Sequence, residues 1–277
     1  MKRTVTKWGS YIIAGSGLLI SLAPLYWLLT ISLKTEIDQF ASPPLWFHFT
    51  PTFVHFQEAF GVNEFGKYLF NSCLVATSST LIALVLGIPA AYSLTRLKWP
   101  KNQAEKIGFW ILSNRFLPPI ITIVPLFLMM RNLGLLDSPV ALIIVYVGFN
   151  LPFVIWMMQT FIREIPPELD EAARVDGDSY FGALIRIILP LASPGIAATA
   201  IFCLIIAWNE FLLALVLTQT ESSMTLPIGI ASQVTQYEIR WGIMSAAGVV
   251  ATVPVLIFSL FVQKYLVRGL SMGAVKG

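Results

Sequence analysis

The chain has 277 residues, of which 56% are hydrophobic and 12% charged, with a mean hydropathy of +0.76. A soluble domain of that length is typically about a quarter charged, so the composition excludes an ordinary soluble globule and puts the chain in the polytopic membrane class. The formal net charge of +3 is spread over loops and ends, where it reports orientation in a bilayer and gives no reason to expect nucleic acid.

A bilayer core near 30 Å takes about 20 apolar helical residues. Six runs meet that length, at 11–33, 68–94, 107–130, 139–162, 190–217 and 242–262, which predicts an all-α, six-span protein with both termini on one side. The first run is too long for the apolar region of a secretory signal and reads as a retained helix. The loop 34–67 that follows is rich in aromatics and proline, a composition suited to a membrane interface or an extracellular partner. His48 and His55 lie there without cysteine or carboxylate at ligand spacing, so no metal site is expected. Cys73 and Cys203 fall inside spans, where packing is expected rather than a disulfide.

In the third run Pro118 and Pro119 free the carbonyls of Asn114 and Arg115, and Pro125 frees that of Ile121. Arg115 is the one basic side chain inside a span. Counted along straight helices, Arg115 lies roughly 12 Å deep from the inner side and Glu210 roughly 30 Å. That difference predicts no direct ion pair and sends Glu210 toward the outer interface. Arg115 then either binds carbonyls and a partner subunit or faces a cavity. In the fourth run Asn150 falls roughly 16 Å down, close to the midplane. Pro152 removes the hydrogen bond to the Gly148 carbonyl, so Tyr146, Gly148, Asn150 and Pro152 predict an interrupted helix at membrane depth. Such a break either binds a solute or serves as a packing kink with Asn150 bonded to a neighbouring helix.

Between the fourth and fifth runs the chain holds nine of its 33 charged residues, from Arg163 to Arg186. Pro166-Pro167 favours a first helical turn, Glu168, Asp170 and Glu171 suit its positive end, and Gly177 supplies a left-handed stop. This predicts a short helix near 167–176. A second helix follows, capped by Asp178 or Ser179, with Phe181, Leu184, Ile185 and Ile188 at helical spacing and an end near Pro190. Physics alone allows a capped surface loop; Leu169, Ala172 and Ala173 along one side of the first helix suggest instead a surface that another protein can approach closely. A last loop, 219–241, mixes polar residues with Leu226-Pro227-Ile228-Gly229-Ile230, suited to a short re-entrant or docking segment. Thirteen basic residues fall in the ends and loops on the side of the 163–190 segment and four on the other, which predicts that both termini and that segment are cytoplasmic.

Glu171-Ala172-Ala173, Gly177, Ile187, Leu189 and Pro190 match every fixed position of the EAA loop of permease subunits in binding-protein-dependent ATP-binding-cassette importers. The chain resembles that family over essentially its whole length. The runs Asn114-Arg115-Phe116-Leu117-Pro118-Pro119 and Trp208-Asn209-Glu210-Phe211, and the ending from Gly269 to Gly277, are similar to the carbohydrate-uptake branch, in particular to the maltose-type second permease. The resemblance implies a single permease domain over 1–277 in the bacterial cytoplasmic membrane, with the coupling loop at 163–190 and a cytoplasmic tail at 269–277. It implies partners as well: a homologous second permease, two ATP-binding subunits, an extracytoplasmic substrate-binding protein and the lipid bilayer. Leu169, Asp170, Glu171, Ala172, Ala173 and Gly177 would form the ATPase-coupling surface, Glu171 pairing with a basic residue of the ATPase and the two alanines packing in its cleft. The candidate substrate path takes Asn114, Arg115, Tyr146, Asn150 and Asn209. No G-x-x-x-x-G-K-[ST] phosphate loop occurs in the chain, so ATP and magnesium are expected on the partner and no cofactor, metal or catalytic residue here.

Two rivals are weighed against this. An ion-gradient-driven transporter prefers buried mid-membrane carboxylates, for which Glu210 is the one candidate. An intramembrane enzyme needs a Ser/His/Asp or metal-ligand set around one cavity, and both histidines lie in one outer loop. Within the transport reading, the lone Arg115 cation raises an anionic sugar derivative as substrate.

Overall fold

The apolar runs bend at the Pro118-Pro119 pair and between Pro190 and Pro194, and continue through Pro24, Pro89, Pro152 and Pro254. The computed structural model describes the backbone of residues 2–273 and the side chains of 10–261; residues 274–277 of the predicted tail lie outside the described residues. Helices α1 (Lys2–Leu33), α2 (Phe65–Arg96), α3 (Gln103–Ser113) and α4 (Pro119–Asn132) are followed by α5 (Pro139–Glu164), α6 (Glu168–Val175) and α7 (Tyr180–Leu191). The last four are α8 (Ser193–Trp208), α9 (Leu212–Leu217), α10 (Leu226–Ala231) and α11 (Trp241–Gly273). Among the described residues there is no strand, only an isolated bridge between Val234 and Ile239.

Four stretches are long and apolar enough to cross a membrane: Ser10–Leu33, Phe65–Arg96, Pro139–Glu164 and Trp241–Phe261. Two bent pairs raise the number to six if each is one span, Pro100–Phe116 with Pro119–Asn132 at 94° and Tyr180–Leu191 with Ser193–Trp208 at 79°. The first bend follows from backbone chemistry. A residue before proline is driven out of the helical region, and both Leu117 (ψ 120°) and Pro118 (ψ 130°) are extended. Pro152, by contrast, sits inside an unbroken α5, which corrects the predicted interruption. One missing N–H costs one rung of the ladder, and the surrounding turns keep theirs where neighbouring helices pack around them.

The chain divides into two compact units, one of residues 1–66 and 229–254 and the other of 67–228 and 255–277. In the first, Lys34 is buried with its ammonium 4.3 Å above the Trp27 ring, and its carbonyl oxygen lies 2.9 Å from His55 Nε2. Gly242 passes so close to His55 that a Cβ would lie 2.4 Å from the ring.

In the second unit, α5 is the central post. A bilayer supplies little hydrophobic drive between helices, so dispersion and close approach hold them. Small residues one turn apart on α2, Ala83, Gly87 and Ala91, make that approach possible; a Cβ on Gly87 would stand 2.5 Å from Val154. Farther along α5, α8 brings Gly195 and Thr199 against it, with Thr199 Oγ1 3.8 Å from Met158 Sδ, and a Cβ on Gly195 would lie 2.3 Å from the Phe161 ring. Met158, Ile162, Leu184 and Ile188 complete this core.

Candidate coupling loop and membrane cavity

Helix α6 stands where the acidic first turn and the glycine stop place it. Glu168, Asp170 and Glu171 occupy its first turn and Arg174 its last, each complementary to the helix dipole. At the far end Gly177 has φ +88°, and the amides of Asp176 and Asp178 return to the carbonyls of Ala172 (3.0 Å) and Ala173 (2.9 Å). That left-handed closure costs glycine little and any residue with a Cβ more. Ser179 then caps α7 by accepting from the Gly182 amide at 3.0 Å. The Arg174 guanidinium lies 3.7 Å over the Tyr180 ring and joins the two arms.

The two faces of α6 differ. Glu168, Leu169, Glu171, Ala172 and Val175 are exposed, while Asp170 and Ala173 are buried against the chain's own body. This corrects the expected surface: Ala173 is spent on the fold and cannot pack in an external cleft, and Asp170 lies 2.8 Å from Arg96 Nε. On α7, Leu184 and Ile188 are buried but Phe181 and Ile185 are not, so only half of the predicted stripe faces the core.

A cavity of about 210 Å³ opens among α4, α5 and α8, lined by Arg115, Tyr146, Asn150 and Glu210 together with apolar residues. The sequence separates Arg115 from Glu210 by depth; the structure puts both at one cavity. The depth count assumed straight helices, and the 94° bend after Arg115 and the end of α8 at Trp208 break that assumption. No ion pair forms between them among the described residues. Glu210 instead caps α9, accepting from the amides of Leu213 (2.7 Å) and Ala214 (3.1 Å) and from the Tyr146 hydroxyl. Arg115 donates through Nη1 to the Phe149 carbonyl (3.3 Å) and stacks 4.8 Å from the Phe153 ring centre. Asn150 is 1% exposed, and neither its amide nitrogen nor its oxygen has a hydrogen-bond partner. Asn114 and Asn209 do not line this cavity. Their amides bond back to Trp110 (2.9 Å) and Ile205 (2.8 Å) on their own helices.

Residues 83–272 match the family described as binding-protein-dependent transport system inner membrane component. The chain belongs to that family. The matched segment contains both α6 and every polar residue of the cavity, whereas α1 and the loop 34–67 lie before it. This family member is 39% identical over 266 residues to the sulfoquinovosyl glycerol transport system permease protein of Agrobacterium fabrum, covering 96% of this chain and 93% of that one. It is 38% identical over 262 residues to the trehalose transport system permease protein of Mycobacterium tuberculosis, covering 93% of each. In fold it superposes on a chain of a bacterial ABC transporter involved in the import of the acidic polysaccharide alginate, with a TM-score of 0.79, 22% identity and coverage of 94% and 96%.

Sequence reasoning misplaced one residue of this family member and passed over another. Glu210 reads as an edge residue until Tyr146 is seen to bind it. Asp137, at φ +59°, collects the amides of Gln219 (2.7 Å) and Thr220 (2.9 Å) and the hydroxyls of Thr220 (2.7 Å) and Ser223. Burial raises its carboxyl, but these donors together outweigh that and hold it well below the usual carboxylate range. The available signal was an aspartate in the short stretch between two apolar runs, a residue type that tolerates a left-handed backbone.

Proposed function

We propose that the chain is one of two permease subunits of an ATP-binding-cassette importer for a sugar, oligosaccharide or polyol, and that α6 is the coupling helix gripped by an ATPase subunit. The observation that carries this reading is α6 itself: an eight-residue helix, closed at its C-terminus by Gly177, and offering Leu169, Glu171, Ala172 and Val175 to the outside. Small and apolar side chains ringed by carboxylates suit a cleft with basic walls. The carbohydrate class rests on relatives named for trehalose and for sulfoquinovosyl glycerol. In this reading ATP and magnesium bind on the partner, an external binding protein delivers solute to the loops 34–67 and 219–241, and both termini and α6 face the cytoplasm. Closure of the ATPase pair biases the helices between two packed arrangements, and this chain supplies half of the path. The test is Glu171→Lys: ATP-driven uptake and co-purification of the ATPase are both expected to fall about tenfold or more, within the usual range of site-to-site coupling. Parental values for both refute the assignment.

Arg115 favours a second reading of the solute, an acidic sugar derivative, because its guanidinium reaches the cavity with only a carbonyl and a ring as partners. Under that reading Arg115→Gln loses uptake of an acidic sugar selectively; equal ratios of acidic to neutral uptake in parent and variant count against it.

A further inference from the structure

Arg96, the last residue of α2, meets three elements at once. Its side chain is only 10% exposed. Nη2 donates to the carbonyl oxygens of Ile162 (2.9 Å) and Ile165 (2.5 Å), at and just past the end of α5. The Ile162 carbonyl has only the tighter terminal bond from the Ile165 amide (3.2 Å), and both carbonyls lie at the negative end of the α5 dipole, so a cation there is doubly suited. Nε of the same guanidinium lies 2.8 Å from Asp170 Oδ2 on the inner face of α6, and Asp170 is as well covered as Arg96. No aligned hydrogen bond accompanies that approach, so opposite charge holds it. Burial pushes the Asp170 carboxyl up, Arg96 pulls it down, and neighbouring Glu171 raises it again. Removal of the guanidinium therefore strands a covered carboxylate beside a second acid.

The covalent route into α6 is weak by comparison. Ile165 is extended at ψ 128° and opens onto Pro166-Pro167, while the other end passes through left-handed Gly177. Neither link continues the α-helix: the Ile165 side is extended, and the Gly177 side is held by the single-turn bonds from Gly177 and Asp178 back to Arg174 and Ala173. We propose that Arg96 is a positioning residue that makes α6 and the adjoining ends of α2 and α5 one mechanical body, so that force taken at α6 turns both helices together. This rests on the coupling reading of α6 and says which contact transmits the motion.

The test uses the assembled importer carrying nitroxide labels at Lys98→Cys and Val175→Cys in a Cys73→Ser, Cys203→Ala background. In the parent a single narrow inter-label distance is expected, unchanged on trapping with ATP and vanadate. In Arg96→Gln and, separately, in the isosteric Asp170→Asn, that distribution broadens, and stimulation of ATP hydrolysis by the binding protein falls about fivefold or more at parental yield of the complex. Arg96→Lys, which keeps the charge but cannot fork to two carbonyls, falls between. A narrow distance in both variants overturns the proposal, and so does a broad distance with parental stimulation. Failure of the coupling reading itself has a different signature: Val175→Cys then reacts with a maleimide equally fast with and without the ATPase subunits, in parent and variants alike.

Discussion

The elbow of α6 and α7 and the cavity beside α5 are both polar features of an apolar chain, yet they are built on opposite principles. In the elbow the turns are closed and several charges are met: Gly177 closes α6, Ser179 caps α7, Asp178 meets Arg186 at 3.3 Å, Asp170 meets Arg96 at 2.8 Å and Arg174 covers Tyr180. In the cavity Asn150 has no partner and Arg115 has few. A segment whose turns are closed by local bonds keeps its shape. An unsatisfied buried amide favours any rearrangement that gives it a partner, a solute or an alternative helix packing. The comparison assigns rigidity to the place where force enters and the capacity to change state to the place where solute passes.

Substitutions can break or sharpen this contrast. The largest effect is expected at Gly177→Pro, where φ +88° is incompatible with a pyrrolidine ring; uptake and ATPase co-purification should both be lost while membrane insertion of α1 to α5 persists, measured by labelling single cysteines in the loops. Next comes Gly195→Leu, which drives a side chain into the Phe161 ring. Overpacking of this kind costs about 1 to 3 kcal/mol or more, visible as a lower Tm in detergent, and Phe161→Ala in the same chain should restore part of it. Tyr146→Phe removes the hydroxyl that Glu210 accepts, with an expected loss of about 1.5 to 3 kcal/mol for a bond to a charged group and a Tm shift to match.

Asn150→Leu sharpens the comparison because its two readouts diverge. Replacing an unpartnered buried amide with an apolar side chain of similar size should raise stability by about 1 kcal/mol. If the amide serves transport, uptake falls as Tm rises; a rise in Tm with unchanged uptake makes Asn150 a packing residue. The smallest effect concerns Asp137 and acid. Its folded carboxyl is more acidic than the unfolded one, so its contribution to stability is complete above about pH 4 and fades as pH falls below that. Asp137→Asn should therefore lower Tm at pH 7 and flatten the decline toward pH 3.

The elbow was the legible region because its signals are local. A proline pair, three acids, a glycine and a serine within fourteen residues state a helix, a stop and a cap, and α6 occupies Glu168–Val175 inside the expected 167–176. Its facing was not legible: Asp170 and Ala173 turn inward because Arg96, some seventy positions earlier in the chain, offers a cation there. The cavity was half legible. Tyr146, Asn150 and Arg115 were marked as polar residues at membrane depth, but Glu210 was placed at the far edge and Pro152 was given a break it does not make.

Composition and apolar run length by themselves determined a helical membrane protein, because a bilayer leaves every backbone group to be satisfied within the chain and continuous apolar runs of about 20 residues fit a spanning helix, not the shorter strands of a barrel. Short-range chemistry added the capped elbow. Which side chains meet at one cavity, which face of α6 remains outside, and which cation ties α2, α5 and α6 together were decided by the bends at 94° and 79° and by the close passage at Gly87 and Gly195. Those depend on residues far apart in the chain packing around α5, and rise per residue along a straight helix carries no information about them.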